Sequence, residues 1–183
     1  MIYKIRKNVD YVSLELVDEG DYSYILDNIH VGKSAMPFEE HITVKYGYNE
    51  DEIDDRGTDD FPCVSASIPA FNERAVSVLG KTLKKFGELL PIYGEEEVFY
   101  LYNVINFIDL IDKDNSILEY YENILIGIKK LVLKPYNTST PEVFKLSGDS
   151  RGPIYANEAF KKEVESNDIR GIRFEPVYVT TLN

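Results

Sequence analysis

The feature that most constrains this chain is a pattern it uses twice. A short apolar strand, an Asn-Glu pair, an amphipathic stretch, a glycine and a second strand occur at 63–93 and again at 153–179. In the first copy CVSASI (63–68) reads as a strand and Asn72 as a helix N-cap, with Glu73 at the positive end of the helix. Ala75, Val76, Leu79, Leu83 and Phe86 then recur at three- and four-residue spacing, which predicts an amphipathic helix over 72–86. Gly87 falls where a left-handed residue ends a helix, and ELLPIY (88–93) follows as a strand. In the second copy PIYA (153–156) is the strand. Asn157 caps a helix over about 157–166, with Phe160 and Val164 one turn apart and Glu158 paired with Lys162. Gly171 ends that connection and IRFEPVYV (172–179) is the last strand. Two such units can pack as a pseudo-symmetric pair.

The rest of the chain reads mostly as strand. YVSLELV (11–17) and HITVKY (41–46) alternate, and YSYIL (22–26) is a weaker candidate. VFYLYNVINFI (98–108) is rich in aromatic and β-branched residues and apolar on both faces, which marks a central strand. DKDNS (112–116) is a turn, 117–126 fits neither period, and IKKLVLK (128–134) and EVFKL (142–146) alternate. The expected fold class is therefore α+β, a mostly antiparallel sheet with two amphipathic helices. The expected organisation is a single domain over 1–183, with a strand-rich part at 1–60 and an α+β core at 61–183.

Charge is concentrated in one place. The net charge is −12. Between Glu39 and Asp60 nine acids face only Lys45 and Arg56, so NEDEIDDRGTDD (49–60) reads as a self-repelling, solvated loop. The balance argues against nucleic acid and anionic membranes as partners, since both need clustered Lys and Arg. It suits a basic protein partner, because complementary charge speeds encounter. One cysteine, Cys63, allows no intramolecular disulfide, and no stretch reaches the roughly 18 apolar residues of a membrane span. A cytoplasmic protein is expected.

Motifs for chemistry are weak. Gly148-Asp149-Ser150-Arg151-Gly152 matches Gly-x-Ser-x-Gly, but a strand is predicted after it where a hydrolase needs a helix, and His30 and His41 lie upstream. A Gly-rich turn is the simpler reading, with a serine hydrolase acting through Ser150 as the alternative. Gly32-Lys33-Ser34 lacks the glycine five residues earlier that a phosphate-binding loop requires. A calcium loop counted back from Gly57 puts Arg56 at a ligand position. Cys63 reads as a small buried apolar side chain, and neither a catalytic residue, a metal nor a cofactor is expected. Tyr3, Tyr11, Tyr22, Tyr24, Tyr46 and Tyr48 crowd the first quarter, which suits either sheet packing or an interface.

The blocks VSASIPAFNERAVSVLGKTLKKFGELLPI, FYLYNVINFIDLIDKDNS, IGIKKLVLKP, EVFKLSG and PIYANEAFKKEVESNDIRGIRFEPV carry a family resemblance. In order and spacing they resemble a family of immunity proteins from bacterial polymorphic toxin systems, the eleventh numbered immunity class, over about residues 61–183. The resemblance implies an α+β fold, no catalytic residues, and neutralisation of a cognate toxin encoded beside the chain. With the acidic run, it points to Glu50, Asp51, Glu52, Asp54, Asp55, Asp59 and Asp60 as contacts to a basic toxin, a nuclease being one candidate. A structural or adaptor protein acting as a homo-oligomer is the other non-catalytic expectation.

Overall fold

Both strand–helix–strand units form, and each closes around a strand antiparallel to its two neighbours. The computed structural model describes residues 1–29, 33–48, 56–65, 68–136 and 140–179. In chain order the elements are β1 (Ile2–Lys7), β2 (Leu14–Leu16), α1 (Gly20–Tyr24) running into a π-helical turn (Ile25–Ile29), β3 (Val44–Tyr46), β4 (Ala70–Asn72), α2 (Glu73–Phe86) and β5 (Gly87–Tyr93). They continue with β6 (Val98–Val104), β7 (Phe107–Ile108), β8 (Ile117–Tyr121), β9 (Ile124–Lys130), β10 (Val132–Leu133) and β11 (Val143–Leu146). The last are β12 (Tyr155–Asn157), α3 (Glu158–Ser166), β13 (Ile172–Pro176) and β14 (Tyr178–Val179). The mixture of helices with small, mainly antiparallel sheets is α+β.

The first unit, β4-α2-β5, flanks β6 in the order β4-β6-β5, both pairings antiparallel. The second, β12-α3-β13, flanks β1 in the order β13-β1-β12, again antiparallel, and the sheet extends through β11 to a parallel edge at β7. The helix caps work as the sequence implies. Asn72 accepts from the Ala75 N–H at 2.8 Å, and Asn157 accepts from Ala159 and Phe160 N–H at 2.8 and 3.1 Å.

Alternation along the strands feeds three buried clusters. Leu79 and Leu83 of α2 and Phe160 and Val164 of α3 meet Phe71, Tyr102, Ile5 and Ala156 in one shared core. On the other face of the three-stranded sheet, Leu90, Ile92, Phe99 and Leu101 pack with Leu14, Ile25, Ile42 and Val44. Residues from the first 60 are thus built onto that sheet, and β1 is the central strand of the second unit. The third cluster joins Ile2, Phe144, Leu146 and Tyr155 to Ile111 and Leu133.

Several local expectations fail. The 98–108 run is not one strand: β6 ends at Val104, and Phe107–Ile108 form β7, which pairs in parallel with β11 at the edge of the other sheet. YSYIL is helical, because Ile25 and Ile29, four apart, are both buried. CVSASI is no strand: Cys63 and Ser65 have φ of 50° and 49°, and Val64 and Ile68 close a turn by exchanging backbone hydrogen bonds. The strand of that unit is β4, and residues 66–67 lie outside the described ones. Gly87 is extended rather than left-handed. A Cβ there would stand 2.5 Å from the Asn103 carbonyl oxygen and 2.7 Å from the Tyr102 ring, so close approach requires the glycine. Glu158 accepts the Tyr3 hydroxyl at 2.8 Å, and the i,i+4 ion pair on α3 is Lys161–Glu165.

Candidate partner-binding surfaces

The acidic run ends inside the molecule. Of the seven predicted contacts, Glu50, Asp51, Glu52, Asp54 and Asp55 lie outside the described residues, while Asp59 and Asp60 are 3% and 1% exposed. The solvated-loop reading is therefore wrong at its last two positions, and neither carboxylate is on a surface that a partner could touch. Asp59 accepts from Lys7 Nζ at 3.0 Å and from the Phe61 N–H at 2.9 Å. Burial lifts its carboxyl above the usual range, against the pull of Lys7 and Phe61. Asp60 pairs with Arg74 and accepts from the Arg170 N–H at 2.8 Å and from Asn72 Nδ2 at 3.1 Å. Arg74 also donates to the Asn167 and Asp168 carbonyls at 3.2 Å. The two acids form a clasp joining β1, α2 and the segment after α3.

The crowded N-terminal tyrosines divide. Tyr3 is buried, edge-on to Phe174 with Lys161 over its ring, whereas Tyr22 and Tyr48 are exposed. A denser exposed patch lies elsewhere. Ile117, Tyr120 and Tyr121 on β8, with Ile124 and Ile126 on β9, are each more than half exposed within ten residues of chain. The side away from Tyr121 and Ile124 is anchored, since Leu118, Leu125 and Ile128 pack on the third cluster, and Tyr120, the register partner of Leu125, belongs to that side. The sequence carried a signal, the indifference of 117–126 to either period, which is how a two-stranded ribbon with apolar residues on both sides reads.

The Gly148–Gly152 segment is the loop of the β11–β12 hairpin, so a strand and not a helix follows Ser150. Ser150 is exposed, and its carbonyl accepts from Lys145 Nζ at 2.8 Å. Burial pulls the Lys145 amine down to about 8, against the opposing effect of Asp149. Cys63 is buried and its thiol is pushed up to about 12 by burial, so it is no thiolate at neutral pH. His41 stacks on Tyr93 at 4.5 Å; His30 and Gly32 lie outside the described residues, as do Glu52 and Asp54 of the calcium-loop reading. Among the described residues no grouping of three or more His, Cys, Asp or Glu could hold a metal, and no helix is long and apolar enough to cross a membrane.

Residues 93–179 match the model of the Immunity protein family (Imm11). The matched span runs from the end of β5 through β14, so it holds the β8–β9 hairpin and all of β12-α3-β13. No curated protein matches the chain.

Proposed function

We propose that this chain is an immunity protein that binds a cognate bacterial toxin in the cytoplasm and occludes it, without catalysis. The match of residues 93–179 to an immunity family carries the reading. Two further features support it. The chain holds −12 of net charge, which favours a basic partner such as a nuclease domain, and its exposed apolar side chains sit on a surface instead of in a cleft. Glu50, Asp51, Glu52, Asp54 and Asp55 are the proposed acidic contacts.

The test is protection. The toxin domain encoded by the adjacent reading frame is expressed in a sensitive host with and without this chain. Growth restored only when the two are together supports the reading, and killing that continues despite equal expression overturns it. Changing the five acids to Asn or Gln is expected to weaken binding and flatten its dependence on salt, because screened charge contributes less once it is removed.

A further inference from the structure

The β8–β9 hairpin has two edges and two faces, and only one face is used. Leu118, Leu125 and Ile128 hold it to the body. Tyr121 and Ile124, opposite each other across the strands, are 64% and 66% exposed, and Ile126 is 65% exposed. Monomeric surfaces scatter such side chains singly, and a contiguous group marks a contact site. Among the described residues neither strand pairs with a further one. The edges nevertheless do not suit strand addition. The register slips between Ile117 and Leu118 and between Glu119 and Tyr120, so Lys129 and Ile126 are extra residues in β9. Such bulges twist an edge away from edge-to-edge pairing. What remains is contact through side chains.

Beside the ribbon lies a recess of about 370 Å³, lined by Gly127 and Ile128 of β9 and by Tyr155 and Tyr178. Its charged lining is two carboxylates, Asp149 and Glu175, against one amine, Lys4. The hairpin itself is balanced, Glu119 and Glu122 standing against exposed Lys129 and Lys130, with Lys129 paired to Glu119. The choice of partner therefore rests on the whole chain: a second copy would set another −12 against this one's −12, whereas a basic protein is attracted to it.

We infer that the outer face of the β8–β9 hairpin is the principal docking surface for a basic protein partner, which lays an apolar patch on Tyr121, Ile124 and Ile126. The inference rests on the immunity reading and names where that contact is made. The probe is the recombinant toxin domain of the adjacent reading frame, with its catalytic residue replaced. It is titrated with wild type, with Tyr121→Ser/Ile124→Ser/Ile126→Ser, with Glu122→Lys alone, and with Val17→Ser as an exposed apolar control. Because all the replaced side chains are exposed, circular dichroism and the melting midpoint should be unchanged. The triple variant is expected to bind about 100-fold more weakly, Glu122→Lys about 10-fold, and the control as wild type does. Wild-type binding with a triple variant within about 3-fold of it leaves the immunity reading standing and overturns the hairpin. Absence of wild-type binding removes both. A wild-type dimer in sedimentation that the triple variant abolishes gives the face to a second copy and also overturns the inference.

Discussion

The two strand–helix–strand units are alike to the residue in register and unlike in how each helix is left. Asn72 and Asn157, and Pro91 and Pro176, are each 85 residues apart. Asn72 sits opposite Phe99 as Asn157 sits opposite Ile2, and Pro91 faces Tyr100 as Pro176 faces Tyr3. The central strand follows its unit in the first case, as β6, and precedes it by most of the chain in the second, as β1. The second unit is therefore a circular permutation of the first. In the first, α2 runs to Phe86 and passes directly into β5. In the second, α3 stops at Ser166 and the next five residues are irregular, with φ of 51° at Asp168 and 92° at Gly171. That irregular stretch is where Asp60 and Arg74 bind, and a Cβ at Gly171 would collide with the Asp59 carboxylate. The lesson is that one local pattern builds both units, and the end of the acidic run distinguishes them.

The largest effect expected is from separating the clasp. Lys7→Met leaves Asp59 buried without its cation and should cost about 3–5 kcal/mol in urea unfolding, whereas Lys7→Met with Asp59→Leu should recover most of that. The Lys7→Met deficit should shrink as pH falls. Burial already raises the Asp59 carboxyl, and a raised acid contributes stability when protonated that is lost as pH rises through its folded pKa. The shared core comes next. Leu79→Ala in α2 and Phe160→Ala in α3 should cost about 2–5 and about 3–5 kcal/mol, each in a single unfolding transition, because both side chains lie in one cluster. Two transitions would break the comparison by making the units independent.

The caps sharpen it. Asn157→Ala should cost about 1 kcal/mol. Asn72→Ala should cost nearer 2, because Asn72 Nδ2 donates to the buried Asp60 carboxylate as well as the Asp59 carbonyl, whereas Asn157 Nδ2 donates only to the neutral Thr140 carbonyl. Equal costs would show that the clasp adds nothing to the first unit. The smallest effect concerns Lys145, whose amine titrates near 8 in the fold and at its ordinary value when unfolded. The folded state then binds fewer protons between those values, so stability rises with pH there. Wild type should gain about 1 kcal/mol on Lys145→Met between pH 7 and pH 9.

The helices, their caps, the strand after α2 and the central strand β6 were legible because amphipathic spacing and capping chemistry act within a few residues. So was the pairing of two related units, though not the permutation, since nothing local says that β1 completes the second. The errors came where distant residues decide. Cys63 and Ser65 take left-handed backbone to make a turn that an apolar alternation cannot reveal. Gly87 answers to Asn103 and Tyr102 across the sheet. Asp59 and Asp60 read as loop acids because Lys7, Arg74 and Arg170, which bury them, are up to 110 residues away. The exposed hairpin is hidden in the sequence for the same reason: apolar residues at 117–126 declare themselves as surface only once Leu118, Leu125 and Ile128 have taken the core side.

Hydrogen exchange of the chain, free and bound to the catalytically silent toxin domain, is the most direct measurement. Slower exchange on binding is expected at residues 117–126 and across 50–55, with the cores of both strand–helix–strand units unchanged. A footprint confined to other surfaces, or none at saturating toxin, would contradict partner binding through these two segments.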